Sequence, residues 1–111
     1  MNTELRKNVQ EMIFEVMNLA VEISSDENNG IDVHCMYSGH VNSFEVRVYE
    51  NGILNQEMSN ISETLYLDDY WYDTTFIKLP GIIIILEEIK NTGKIDYSKL
   101  VASRNQIFSF C

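Results

Sequence analysis

The chain is poor in cysteine, in positive charge and in long apolar runs, and each shortage removes a class of function. Two cysteines, Cys35 and Cys111, make no disulfide framework for a secreted domain, and both are expected to be reduced thiols. Only 8 Lys and Arg stand against 17 Asp and Glu. The resulting net charge of −9 opposes attraction to phosphate backbones and anionic lipid, so no direct contact with nucleic acid is expected. The longest apolar run, residues 81–86, is far below the roughly 20 residues that span a bilayer. No basic start followed by an apolar block opens the sequence, so cytoplasmic residence without membrane contact is expected. A Gly-rich phosphate loop and a Gly-x-Ser-x-Gly elbow are also missing, and neither a cofactor nor an enzymatic activity is expected.

What is present suits one small α+β domain. Of the 111 residues, 45% are apolar and 11% aromatic, enough for a single core but not for separate catalytic and regulatory units. Over 3–24 the apolar residues Leu5, Val9, Met12, Ile13, Val16, Ala20 and Ile23 recur at spacings of three and four, the period of one helical face. Thr3 is a plausible N-cap. A second apolar group, Phe14, Met17 and Val21, lies off that stripe. Such a wide arc means deep burial or a partner surface, and burial is the expectation.

Residues 31–52 read as a β-hairpin, because apolar and polar residues alternate on both sides of Gly39-His40-Val41-Asn42. A core face requires Ile31, Val33, Cys35 and Tyr37 to share a side with Phe44, Val46 and Val48. Pairing Ser38 with Ser43 achieves this, and sets Met36 against Glu45, Cys35 against Val46, His34 against Arg47 and Asp32 against Tyr49. Strands are therefore expected over 31–38 and 43–50, with a third over 61–68 completing an antiparallel meander. A polar connection separates the second strand from the third. A second helix is expected over 80–92, with Pro80 at its first position and Gly93 as its C-cap. The four isoleucines at 82–85 leave a buried strand as the alternative there. The order is thus αβββα with both helices on one sheet face. Residues 94–100 suit a short helix or a loop, and the tail after them an edge strand or an unpaired end.

The candidate sites sort quickly. His34, Cys35 and His40 are close in sequence, but His34 and Cys35 point to opposite faces of a strand and no second pair completes four ligands, so no metal site is expected. Cys35 on the core side is a small hydrophobe rather than a nucleophile. Adjacent carboxylates such as Asp68 and Asp69, or Glu87 and Glu88, do not converge without a pocket. The unusual segment is Asp68-Asp69-Tyr70-Trp71-Tyr72-Asp73, three aromatics framed by carboxylates. Tyr and Trp are frequent interface anchors, and carboxylates beside them suit Arg or Lys of a partner. The alternative is that these rings roof the end of the core. Glu45 and Tyr49, on the outward face of the hairpin beside His34, Met36, Arg47 and Tyr66, form a second candidate contact surface, although a solvated face with cross-strand pairs is the expectation there.

Residues 37–52, Tyr-Ser-Gly-His-Val-Asn-Ser-Phe-Glu-Val-Arg-Val-Tyr-Glu-Asn-Gly, resemble a segment of small uncharacterised acidic proteins of phages and prophages of Gram-positive bacteria. The resemblance runs from the first helix through the hairpin. In those proteins Trp commonly follows the Asn-Gly, where this chain has Ile53. The resemblance implies a setting, a mobile element inside a host cell, in which small acidic proteins sometimes inhibit defence enzymes such as CRISPR effectors. Together with the charge, it leads to an expected role as an anti-CRISPR-like inhibitor that covers the basic surface of a host nucleic-acid-binding protein. The alternative is a structural or regulatory homo-oligomer, a homodimer for example, packed through Phe14, Met17 and Val21.

Overall fold

The computed structural model describes residues 3–68, 72–102 and 107–110. Helix α1 (Thr3–Ser24) is followed by three strands, β1 (Asp32–Ser38), β2 (Ser43–Tyr49) and β3 (Ile61–Tyr66), and then by helix α2 (Tyr72–Thr92). A 3-10 turn (Tyr97–Lys99) and two short strands, β4 (Val101–Ala102) and β5 (Phe108–Ser109), complete the described chain. The hairpin pairs Asp32 with Tyr49, His34 with Arg47, Cys35 with Val46, Met36 with Glu45 and Ser38 with Ser43, the register that the apolar alternation requires. In its turn Asn42 takes the left-handed conformation (φ 50°), which Asn tolerates better than most residues.

The sheet is larger than the expected meander, and it is mixed. Its order is β1-β2-β3-β5-β4, with β5 parallel to β3 and β4 antiparallel to β5. Phe108 N–H donates to the Asn60 carbonyl at 2.9 Å, and Phe110 is buried. The C-terminal residues therefore extend the sheet beyond β3, with β4 rather than β5 at the edge. Asp96 caps the 3-10 turn by accepting from Ser98 N–H and O–H, bonds that lower its pKa.

The second helix departs further from expectation. It begins at Tyr72 rather than at Pro80, which stands in its interior. Proline there removes the N–H that would reach the carbonyl four residues earlier and costs about 3 kcal/mol relative to alanine. Packing overrides that cost, because Leu79, Ile82, Ile83, Leu86 and Ile89 are all buried and Pro80 itself faces solvent. Thr75, also buried, donates its hydroxyl to the Tyr66 carbonyl at 2.7 Å and ties the start of α2 to the end of β3. Gly93 closes the helix in the left-handed conformation (φ 71°), its N–H donating to the Ile89 carbonyl at 2.8 Å.

Both helices share one core with Val33, Phe44, Val46, Val48, Ile61 and Leu65 of the sheet. The helices run parallel, since Lys90 near the end of α2 pairs with Glu22 near the end of α1. Ser24 anchors α1 to β1, its hydroxyl oxygen accepting from Val33 N–H at 2.9 Å. A polar side chain enters the core side of the sheet. Glu63 stands opposite Val46, and its carboxylate lies 3.8 Å from the Lys78 ammonium of α2.

Candidate protein-binding surfaces

Most of the acidic aromatic segment contributes no geometry. Asp69, Tyr70 and Trp71 lie outside the described residues, and Tyr72 is the first residue of α2. Asp68 is exposed just beyond β3. Asp73, also exposed, stands in the first turn of α2, where a carboxylate is stabilised by the positive end of the helix dipole. That position gives Asp73 a structural role without any partner.

The outward sheet face is less open than its polarity suggested. Arg47 holds Glu45 through two oxygens, Nε to Oε1 at 3.0 Å and Nη2 to Oε2 at 3.1 Å, and Tyr49 hydrogen-bonds the same guanidinium. The Tyr49 bond and then the Glu45 bond raise the Arg47 pKa further, so the guanidinium stays charged and is paired within the face. Tyr49 itself is only 6% exposed. Its cross-strand partner Asp32 accepts from Ile53 N–H at 2.8 Å, which folds the β2–β3 connection back over that end of the face. Tyr49 is thus not available to a partner, and Glu45 is already engaged. Exposed positions on this face are His34, Met36 and Tyr66.

Cys35 is half-buried and packs against the core, and burial pushes its thiol up to about 11. A thiol so rarely ionised near neutral pH is a poor nucleophile. Among the described residues no three His, Cys, Asp or Glu side chains converge to hold a metal.

Helix α1 presents the largest discrepancy. Phe14 and Val21 are 66% and 67% exposed and Met17 is 43% exposed, so the arc expected to be buried lies outside the core. Spacings of three and four place the three side chains on one strip of the helix. Phe14 and Met17 also border a groove of about 540 Å³ between α1 and the hairpin tip. Val9 and Ile13 of α1, Tyr37 at the end of β1 and Leu67 after β3 supply its apolar walls, and Arg6, Gln10 and Asn42 its polar rim. Tyr37, expected to face the core, is exposed there, with its hydroxyl donating to Asn42 Oδ1 at 2.9 Å. No histidine, cysteine or carboxylate lines the groove among the described residues. Its chemistry therefore suits apolar contact better than acid, base or nucleophilic work.

The connection between β2 and β3, read from sequence only as polar, is the feature that sequence reasoning missed. Its polar side chains bond inward to its own backbone. Asn60 Oδ1 accepts from Glu50 N–H and from the Gln56 amide, both at 2.8 Å, and Gln56 Oε1 accepts from Asn51 N–H at 2.8 Å. The Asn55 amide donates to the Asn51 carbonyl at 2.9 Å. Gly52 takes φ 89°, and a side chain there would stand 3.3 Å from the Asp32 carboxylate. The Tyr97 hydroxyl lies against Glu50 and Asn60; burial and then the Glu50 charge raise its pKa. This well-tied loop holds Leu54 at 95% exposure, with Ile53 and Met58 also exposed. The available signal was an apolar Ile-Leu pair, without periodic partners, inside an Asn- and Gln-rich stretch.

Among the described residues no helix is long and apolar enough to cross a membrane. No protein-family model matches the chain, and comparisons with curated proteins and with solved structures find no match either.

Proposed function

We propose that this chain acts by binding a protein rather than by catalysis, and that the partner seats on the outward apolar strip of α1 and the groove beside it. The exposure of Phe14, Met17 and Val21 next to an apolar groove is the observation that supports this reading. Contiguous apolar surface of this kind marks interaction sites in soluble proteins, whereas scattered single residues do not. A benzophenone side chain placed at position 14 tests it in expressing cells. Light should drive a discrete covalent adduct from position 14 and none from position 84, an exposed position on α2. Absence of an adduct at position 14 would overturn the reading.

A second reading gives the acidic surface the active role. In it the chain is an anti-CRISPR-like inhibitor that covers the basic surface of a host nucleic-acid-binding enzyme. The net charge of −9 supports this, as does the exposure of Asp68 and Asp73 on either side of the aromatic segment. Such a complex should weaken steeply as salt rises, and Asp68→Asn or Trp71→Ala should weaken it with the fold intact. Salt-insensitive binding that is lost in Phe14→Asp would reject it and leave the first reading standing.

A further inference from the structure

We infer that this chain pairs with a second copy of itself about a two-fold axis, β1 of one copy adding antiparallel to β1 of the other while the two α1 strips meet above them. The inference rests on the reading of α1 just given and names its partner. The observation that carries it is the open edge of the sheet at β1. The Ser24 hydroxyl accepts from Val33 N–H and donates to the Val33 carbonyl, so the Val33 backbone points away from β2. Backbone groups alternate in direction along a strand, so those of Cys35 and Tyr37 point the same way, and among the described residues nothing pairs with them. Sheet edges are usually blunted by charge, proline or a bulge. Residues 33–41 hold no charged side chain and no proline, and the register of β1 with β2 is unbroken.

This short edge fits its own copy. Ser24 stops the ladder at Val33 and the turn stops it after Ser38, so Cys35 and Tyr37 stay open on either side of Met36. Pairing Cys35 with Tyr37 of the second copy, and the reverse, exchanges both N–H to O bonds in each pair and uses the open groups of both edges. Met36 then faces its own counterpart across the axis. The α1 strip runs beside this edge, because Ser24 continues the spacing of Phe14, Met17 and Val21, and Phe14 and Met17 stand by Tyr37. Phe14 to Ser24 is about 15 Å of helix and Val33 to Tyr37 about 14 Å of strand, so closing the edge brings strip against strip. The net charge of −9 does not fall on this side. Glu4, Glu11, Glu15 and Glu22 recur at seven, four and seven, which gathers them roughly a third of a turn round α1 from the strip. A basic partner would find no carboxylate along the edge to pair with. Phe14, Met17, Val21, Met36 and Tyr37 expose on the order of 600 Å² per copy, about 1,200 Å² for the pair, the lower end of the range for stable interfaces.

Light scattering of the purified chain over a wide concentration range should show the mass rising to two chains and no further. Added salt should strengthen the pair, since it screens two like-charged copies from each other. Met36→Lys, which sets two ammonium groups face to face on the axis, and Phe14→Asp should each weaken pairing at least tenfold. Both side chains are exposed, so thermal unfolding of the variants should stay near the wild-type temperature. Met36→Cys, in a chain also carrying Cys35→Ala and Cys111→Ala, tests the register without relying on lost binding. Oxidised glutathione should link two copies through position 36, because facing Cα atoms in such a pair stand about 4.5 Å apart, within disulfide reach. His34→Cys in the same background should give no linked pair, since position 34 faces Ser38 of the second copy. Three results would overturn the inference: a monomeric wild type at every concentration, pairing that survives Met36→Lys, or linkage at position 34 equal to that at 36. If pairing survives Met36→Lys but is lost in Phe14→Asp, the α1 strip keeps its role and the β1 edge loses it. A monomeric wild type whose position 14 gives an adduct with a different protein overturns this inference and leaves the reading beneath it standing.

Discussion

The two helices invite comparison, because both bury one apolar face in the same core and both leave apolar residues outside it. On α2 the outward residues are Ile77 and Ile84, with the exposed Pro80 between them and Glu87 beyond. With the Pro80 ring between them they repeat the three-and-four spacing of the α1 strip, but they border none of the grooves described above. On α1 the outward residues Phe14, Met17 and Val21 form a continuous strip that runs into a groove walled by Tyr37 and Leu67. The difference shows that exposure alone does not mark a surface. Exposed apolar side chains are ordinary in folded proteins, and a concave apolar neighbour is what distinguishes α1.

The inward faces should prove equivalent, and that is the largest effect to measure. Ile23→Ala on α1 and Leu86→Ala on α2 each remove a fully buried side chain, and each should lower unfolding free energy by about 2–5 kcal/mol in chemical denaturation. A loss below 1 kcal/mol in one of them would show that the two faces do not share one core. Of intermediate size, Pro80→Ala should raise stability by about 1–3 kcal/mol, since it restores a helix-interior N–H and removes the ring. No gain would mean that the packing of Leu79 and Ile82 depends on the proline ring itself. The outward faces should differ in binding and not in stability. Phe14→Asp and Ile84→Asp should each change stability by no more than about 0.5 kcal/mol. Only Phe14→Asp should abolish partner binding in co-purification, and equal effects from both would erase the distinction between the helices.

Much of the sheet was legible because its period is two. Any shift of one residue in the hairpin would turn Phe44, Val46 and Val48 to solvent, so alternation together with a four-residue turn admits one register. The candidate contact residues were far less legible. Tyr49 alternates correctly with the core residues and still became buried, because the β2–β3 connection folds over its side of the sheet through Asp32 and Ile53. Leu54 was unreadable for the converse reason. Its neighbours look like ordinary loop residues, and only their mutual hydrogen bonds reveal that the loop has a defined shape.

By itself, then, the amino-acid sequence determined the elements whose signals are local: α1, where apolar residues recur every three or four positions, and the paired strands β1 and β2. Tertiary structure decided what depends on neighbours distant in the chain. It carried α2 through Pro80, because a row of buried leucine and isoleucine outweighs one missing hydrogen bond. It also drew the C-terminal residues into the sheet beside β3, where unpaired backbone groups of an edge strand find partners. Finally, it left Phe14, Met17 and Val21 outside, since a helix on a sheet can present only one of its faces to the core.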